Sequence, residues 1–135
     1  MVAMLESARR YRTTGGTHSA CVGQLNGDFD AGDEPSALLF ACEDIGRHNA
    51  LDKAIGWGLM NGIDFAGCVL AATGRVSSEM VAKAARAGVR VVASLSVPTD
   101  LALGLAHAAG IAIVGRALSA RPAVYAPETN RFDTR

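Results

Sequence analysis

The sequence predicts an α/β protein: a three-layer α/β/α sandwich on a mixed, mostly parallel sheet. Three observations carry that expectation. Short apolar runs suited to buried strands recur at 36–42, 68–72, 89–94 and 111–114. The stretches between them place apolar residues at helical spacing and close on Gly or Asn. Half of the 135 residues are apolar, enough for the core of a chain of one-domain size.

The elements follow in order. Residues 1–12 read as a short helix broken by Thr13-Thr14-Gly15-Gly16. Residues 17–25 alternate loosely, like a strand, and Asn26-Gly27 is a turn signal. A polar loop over 28–35 leads into the buried strand 36–42. Over 49–60, Ala50, Leu51, Ala54, Ile55, Gly58 and Leu59 share one helical face, and Asn61-Gly62 ends it. The apolar strand 68–72 closes on Thr73-Gly74-Arg75.

Ser77-Ser78-Glu79 opens a helix over 80–87 that Gly88 stops. Residues 89–94, rich in β-branched side chains, make the next strand. Thr99 or Asp100 caps a helix running to Ala109, with Gly110 as its stop. Residues 111–114 and a short 124–125 segment complete the strands. The order is α-β-β-α-β-α-β-α-β. The first two strands suit an antiparallel pair, and the later alternation implies parallel pairs with helices on both faces. Residues 1–126 form one domain and 127–135 a polar tail.

Charge and cysteine usage narrow the function. Thirteen Lys and Arg balance thirteen Asp and Glu, so no positive surplus supports nucleic-acid binding. No apolar run approaches the roughly 18 residues of a membrane span, and the N-terminus is charged too early for a secretory signal. Cys21, Cys42 and Cys68 form no Cys-x-x-Cys pair, which argues against zinc or a disulfide framework and fits a reducing cytoplasm.

In open α/β sheets, ligands bind beyond the carboxyl ends of the strands. Three polar loops fall there, at 43–49, 73–79 and 94–99, and each opens a helix whose free N–H groups favour an anion. In the first, Arg47 offers a planar fork of donors and His48 a proton carrier. Asn49 suits an N-cap, Asp44 is placed to orient Arg47 or His48, and Asp52 and Lys53 lie a turn further on. Capping and a surface ion pair explain the same residues, so both readings stand. In the second loop Ser77 suits an N-cap beside Arg75, and no P-loop pattern is present. Cys42 ends its strand beside the charged turn, where it is either core or a thiol facing a site. Arg116 and Arg121 follow the last main strand and suit either a phosphate clamp or solvent.

Taken together, these stretches resemble the FdhD family, the sulfur-carrier proteins needed for active formate dehydrogenase. TGGTHSA at 14–20 is similar to the family's TGGxHxA, and EDIGRHNALDKAIG at 43–56 to its EDxGRHNAxDKxIG. Residues 74–80, Lys83-Ala84 and 93–99 resemble its GRxSxEM, KA and S-x-S-x-PT segments. The resemblance implies a cytidine-deaminase-like fold. It implies an accessory sulfurtransferase that takes persulfide sulfur from a cysteine desulfurase and hands it to the bis-guanine-dinucleotide molybdenum cofactor, of which GDP is a partial mimic. Formate dehydrogenase is the implied client and a homodimer the implied assembly.

On this resemblance the cofactor surface comprises Gly15, Gly16, His18, Asp44, Arg47, His48, Asn49, Arg75, Ser77, Arg116 and Arg121. The family's carrier Cys-x-x-Cys lies upstream of TGGxHxA, so this chain matches the C-terminal domain and Cys42 is only a remote substitute. The family's Phe-x-Arg-x-x-Arg segment reads Arg116-Ala117-Leu118-Ser119-Ala120-Arg121, matching at Arg121. A deaminase is disfavoured, because Ser19-Ala20 follows His18 and no Pro-Cys-x-x-Cys exists. The competing reading is a non-catalytic module that dimerises or docks the desulfurase or dehydrogenase.

Overall fold

A computed structural model describes residues 1–25 and 37–125. Six strands form a single sheet: β1 (His18–Gln24), β2 (Ala37–Asp44), β3 (Cys68–Ala72), β4 (Val91–Ser94), β5 (Ala112–Gly115) and β6 (Ala123–Tyr125). Their spatial order is β2-β1-β3-β4-β5-β6. β1 lies between β2 and β3 and is antiparallel to both, β3, β4 and β5 are mutually parallel, and β6 runs antiparallel to β5.

Two pairings are therefore parallel and three antiparallel, which corrects the expectation of a mostly parallel sheet. The cause is β1. Its insertion between two later strands reverses both contacts, yet leaves β2, β3, β4 and β5 pointing the same way.

Helices α1 (Val2–Ser7), α2 (Arg9–Thr14), α3 (Arg47–Met60), α4 (Ser78–Ala87) and α5 (Asp100–Ala109) complete the described architecture, with a 3-10 turn at Phe65–Gly67. Alternation along the strands divides the core. Ala20, Val22, Leu70, Ala72, Val92 and Ile113 face one side, where Leu51, Ile55, Met80, Val81 and Ala106 of α3, α4 and α5 cover them. On the opposite side Met4 of α1 packs on Cys21 and Ala71. The helices are thus unevenly shared: three lie on one face and the six-residue α1 covers part of the other. Among the described residues no helix is long and apolar enough to cross a membrane.

Several boundaries differ from the sequence expectation. The first helix is two, with Ala8 at φ −80°, ψ 69° between them, and the second runs on to Thr14 before Gly15 ends it at φ 64°. Glu43 explains the break: its carboxylate accepts the Arg10 and Tyr11 N–H groups at 3.1 and 2.6 Å, capping α2 from β2. β2 continues through Glu43 and Asp44 because Ser19 and His18 pair with them. α3 begins at Arg47 with Gly46 as N-cap, so Asn49 is not the cap expected of it. β4 starts at Val91 rather than 89.

Helices α4 and α5 follow local sequence closely. Ser77 accepts the Met80 N–H at 3.4 Å and Thr99 the Ala102 N–H at 3.2 Å, which settles the second cap on Thr99. Gly88 and Gly110 stop them at φ 85° and 69°. The Asn26-Gly27 turn, the 28–35 loop and the 127–135 tail lie outside the described residues.

Candidate functional site

Since β2, β3, β4 and β5 point the same way, their carboxyl ends meet the amino end of β1 along one edge. The loops there are tied to one another. The Val76 N–H donates to Val97 O at 3.3 Å, the Thr99 N–H to Val76 O at 3.0 Å, and the Arg116 N–H to Ser96 O at 2.9 Å. Among the described residues the three buried polar ones, Ser19, Thr73 and Ser94, all lie along this edge. The Ser19 hydroxyl donates to Cys42 O on β2 at 3.0 Å, Thr73 Oγ1 accepts the Ser19 N–H at 3.0 Å, and the Ser94 hydroxyl donates to Gly74 O at 2.6 Å. A belt of hydroxyls thus holds four strand ends in register.

Over this belt Arg47, His18 and Gly74 converge. A Cβ on Gly74 would lie 3.0 Å from Arg47 Cδ, 3.1 Å from Arg47 Cβ and 3.3 Å from His18 Nδ1. Only a residue without a side chain lets the arginine and the imidazole close over this backbone. Arg47 Nε is buried and has no hydrogen-bond partner among the described residues. A buried guanidinium N–H without an acceptor is costly, so the position favours an incoming anion. His18 Nδ1 is 3.4 Å from Thr73 Oγ1. His48, next to Arg47, faces Glu79 of α4 with 3.7 Å between Nε2 and Oε2.

Asp44 is engaged elsewhere. It accepts Lys53 Nζ at 2.6 Å, the Gly46 N–H at 3.1 Å and Asn49 Nδ2 at 3.3 Å. The Lys53 bond foremost, then the Gly46 N–H, hold its carboxyl down at about 2. Asp44 and Asn49 therefore build the turn; Asp44 does not orient Arg47 or His48, because Lys53 reaches back from α3 to claim it. Asp52 pairs with Lys83 of α4 at 2.8 Å. Desolvation pushes the Glu43 carboxyl up, but the Tyr11 and Arg10 N–H groups and the Thr17 hydroxyl outweigh it and leave it low. Beside these residues Arg10, Thr17, Ile45 and Lys53 help line a shallow cleft of about 240 Å³.

The other expected residues are scattered along the edge. Gly15 and Gly16 form the exposed end of α2, Arg75 is exposed, and Ser77 is spent on its cap. Arg116 and Arg121 are exposed, Arg116 with the left-handed φ of 50° that a non-glycine residue rarely adopts. Cys42 turns into the α3 interface, its Sγ 3.2 Å from Ala50 O, and burial pushes its thiol up. Sequence reasoning overlooked Thr73, Ser94 and Glu43; the one signal available was the hydroxyl residue that ends the apolar runs of β3 and β4.

A model of the FdhD/NarQ family matches residues 1–132. The chain belongs to the FdhD/NarQ family. This FdhD/NarQ chain is 39% identical over 125 residues to a protein named sulfur carrier protein FdhD from Halalkalibacterium halodurans, covering 93% of this chain and 43% of that one. The protein of the same name from Mycobacterium tuberculosis is 41% identical over 117 residues, covering 83% and 39%. A solved structure titled as a formate dehydrogenase accessory protein from Desulfotalea psychrophila superposes with a TM-score of 0.79 at 29% identity. It covers 94% of this chain and 52% of that one. The FdhD/NarQ chain therefore spans less than half the length of the curated relatives it matches.

Proposed function

We propose that this chain is the cofactor-binding part of a sulfur carrier that serves formate dehydrogenase in the cytoplasm. In this reading persulfide sulfur from a cysteine desulfurase reaches the bis-guanine-dinucleotide molybdenum cofactor held at the sheet edge. The three-layer, cytidine-deaminase-like relationship belongs to the same reading, as does a homodimer. One observation carries it: the buried Nε of Arg47, without a partner among the described residues, beside His18 and over a glycine whose space a methyl group would fill.

The donors fit such a ligand. Arg47 and His18 suit a pyrophosphate oxygen, and the amino ends of α3, α4 and α5 open on the same edge. Exposed Arg75, Arg116 and Arg121 add positive charge within the surrounding loops. The bound cofactor would supply the metal that accepts sulfur; the chain's residues bind and orient its nucleotide part. The thiols here do not suit the carrier role, since burial pushes Cys21 up to about 11 and raises Cys42 and Cys68 as well. The family resemblance assigns that role to a Cys-x-x-Cys preceding TGGTHSA.

GDP tests the reading. Millimolar GDP is expected to raise the melting temperature, because a ligand that binds only the folded state stabilises it. Arg47→Ala is expected to weaken GDP binding by about tenfold or more, as loss of a hydrogen bond between charged groups implies. An unchanged melting temperature in the wild type sinks the proposal.

The competing role as an interaction module has its own observation. Leu101 and Leu105, one turn apart on α5, are 73% and 37% exposed. Such a pair would suit an association surface. If it carries self-association, Leu101→Glu is expected to shift the mass measured by light scattering to that of a monomer while GDP binding persists.

A further inference from the structure

Thr73 stands apart from the residues that motif reading selects, yet it touches the site through a hydroxyl that is almost fully enclosed. It follows β3, is 7% exposed, and its Oγ1 accepts the Ser19 N–H at 3.0 Å while lying 3.4 Å from His18 Nδ1. The geometry admits two proton arrangements. If His18 Nδ1 carried the proton, Thr73 Oγ1 would accept from both Ser19 and His18. Its own hydroxyl proton would then be buried with no acceptor among the described residues. Buried donors without acceptors are rare and unfavourable. If Nδ1 is bare, the Thr73 hydroxyl donates to it and every group in the chain Ser19 N–H, Thr73 O–H, His18 Nδ1 is satisfied.

We propose that Thr73 is a positioning residue that holds neutral His18 in the tautomer with its proton on Nε2. The proposal rests on the anion-binding reading above and deepens it. His18 Nε2 makes no hydrogen bond among the described residues. With a proton there, His18 keeps a free N–H donor on a ring that packs against Gly74 as Arg47 does, and Arg47 Nε has no partner among the described residues. In the other tautomer Nε2 would present a lone pair to an anionic oxygen and repel it. The belt that registers the strands thereby also sets the polarity of the site, and it selects phosphate-type oxygens over ligands that bring N–H donors.

The test separates the two readings. Long-range proton–nitrogen NMR spectra of the 135-residue chain at about pH 8, where imidazoles are neutral, report the His18 tautomer without any ligand. Wild type and Thr73→Ser are expected to show the proton on Nε2, and Thr73→Val a mixture or the proton on Nδ1. GDP binding is expected to fall about fivefold to tenfold in Thr73→Val and to recover in Thr73→Ser. A wild-type His18 protonated on Nδ1 overturns the proposal even if Thr73→Val fails to fold, and so does a Thr73→Val spectrum that keeps the proton on Nε2. The expected tautomers without GDP binding to the wild type would uphold the positioning role and overturn the binding reading instead.

Discussion

Gly74 is the position where the smallest change has the largest expected effect on the site. A methyl group there would press on Arg47 Cδ and Cβ at 3.0 and 3.1 Å and on His18 Nδ1 at 3.3 Å. Gly74→Ala is expected to displace the guanidinium and reduce GDP affinity severalfold, with a melting temperature only modestly lowered, because contacts of 3.0–3.3 Å ask the neighbours to give by a few tenths of an ångström. Calorimetric titration beside a thermal melt distinguishes this from general unfolding. Asp44 supports a different prediction. Its folded-state carboxyl lies near 2, below the usual value near 3.9. The unfolded chain thus binds the proton more readily, and stability from the Lys53 contact is complete above about pH 4 and lost as pH falls towards 2. Asp44→Asn is expected to flatten that acid limb of the stability curve, and acid titration followed by circular dichroism measures it.

Helix α3 illustrates how packing overrules propensity. Gly58 sits inside the helix, where alanine would gain about 1 kcal/mol of intrinsic preference. Yet a Cβ there would overlap the Phe65 ring that packs beneath it. Gly58→Ala is expected to destabilise by about 1–3 kcal/mol, as overpacked cores do, and urea unfolding reads the difference. At α5 the outcome depends on the cap: Thr99→Ala removes the acceptor for the Ala102 N–H and is expected to cost about 1 kcal/mol. The same contrast explains what was legible in the sequence. Ser77, Thr99, Gly88 and Gly110 act within three or four residues, so α4 and α5 could be read directly. Glu43 caps α2 across 32 residues, and Lys53 draws Asp44 back from a helical turn away, so neither the break at Ala8 nor the start of α3 was legible. Arg47 and His18 stood out as residue types, but their meeting over Gly74 depends on which strands are neighbours.

The sheet decides that neighbourhood. β1 precedes β2 in the chain and pairs with it as a hairpin would, an arrangement local sequence suggests. Its second partner, β3, lies beyond the whole of α3, and nothing near residue 18 announces it. Helix distribution was obscured for a related reason. Apolar runs predict buried strands without saying which face each helix covers, and here α3, α4 and α5 all chose the same one.

The strand that completes the site also sets when it can form. Ser19 and Thr73 are separated by 54 positions, and their paired bonds close a long loop that the edge requires. Such non-local contacts slow folding, because the entropy of closing the loop is lost before the contact stabilises the chain. During synthesis the hairpin of β1 and β2 and helix α3 can assemble early, while the corner of Arg47 and His18 waits for Thr73 and Gly74 to emerge. The ligand is therefore expected to have no grip on shorter nascent chains, and its binding reports that the central strand has found its second partner.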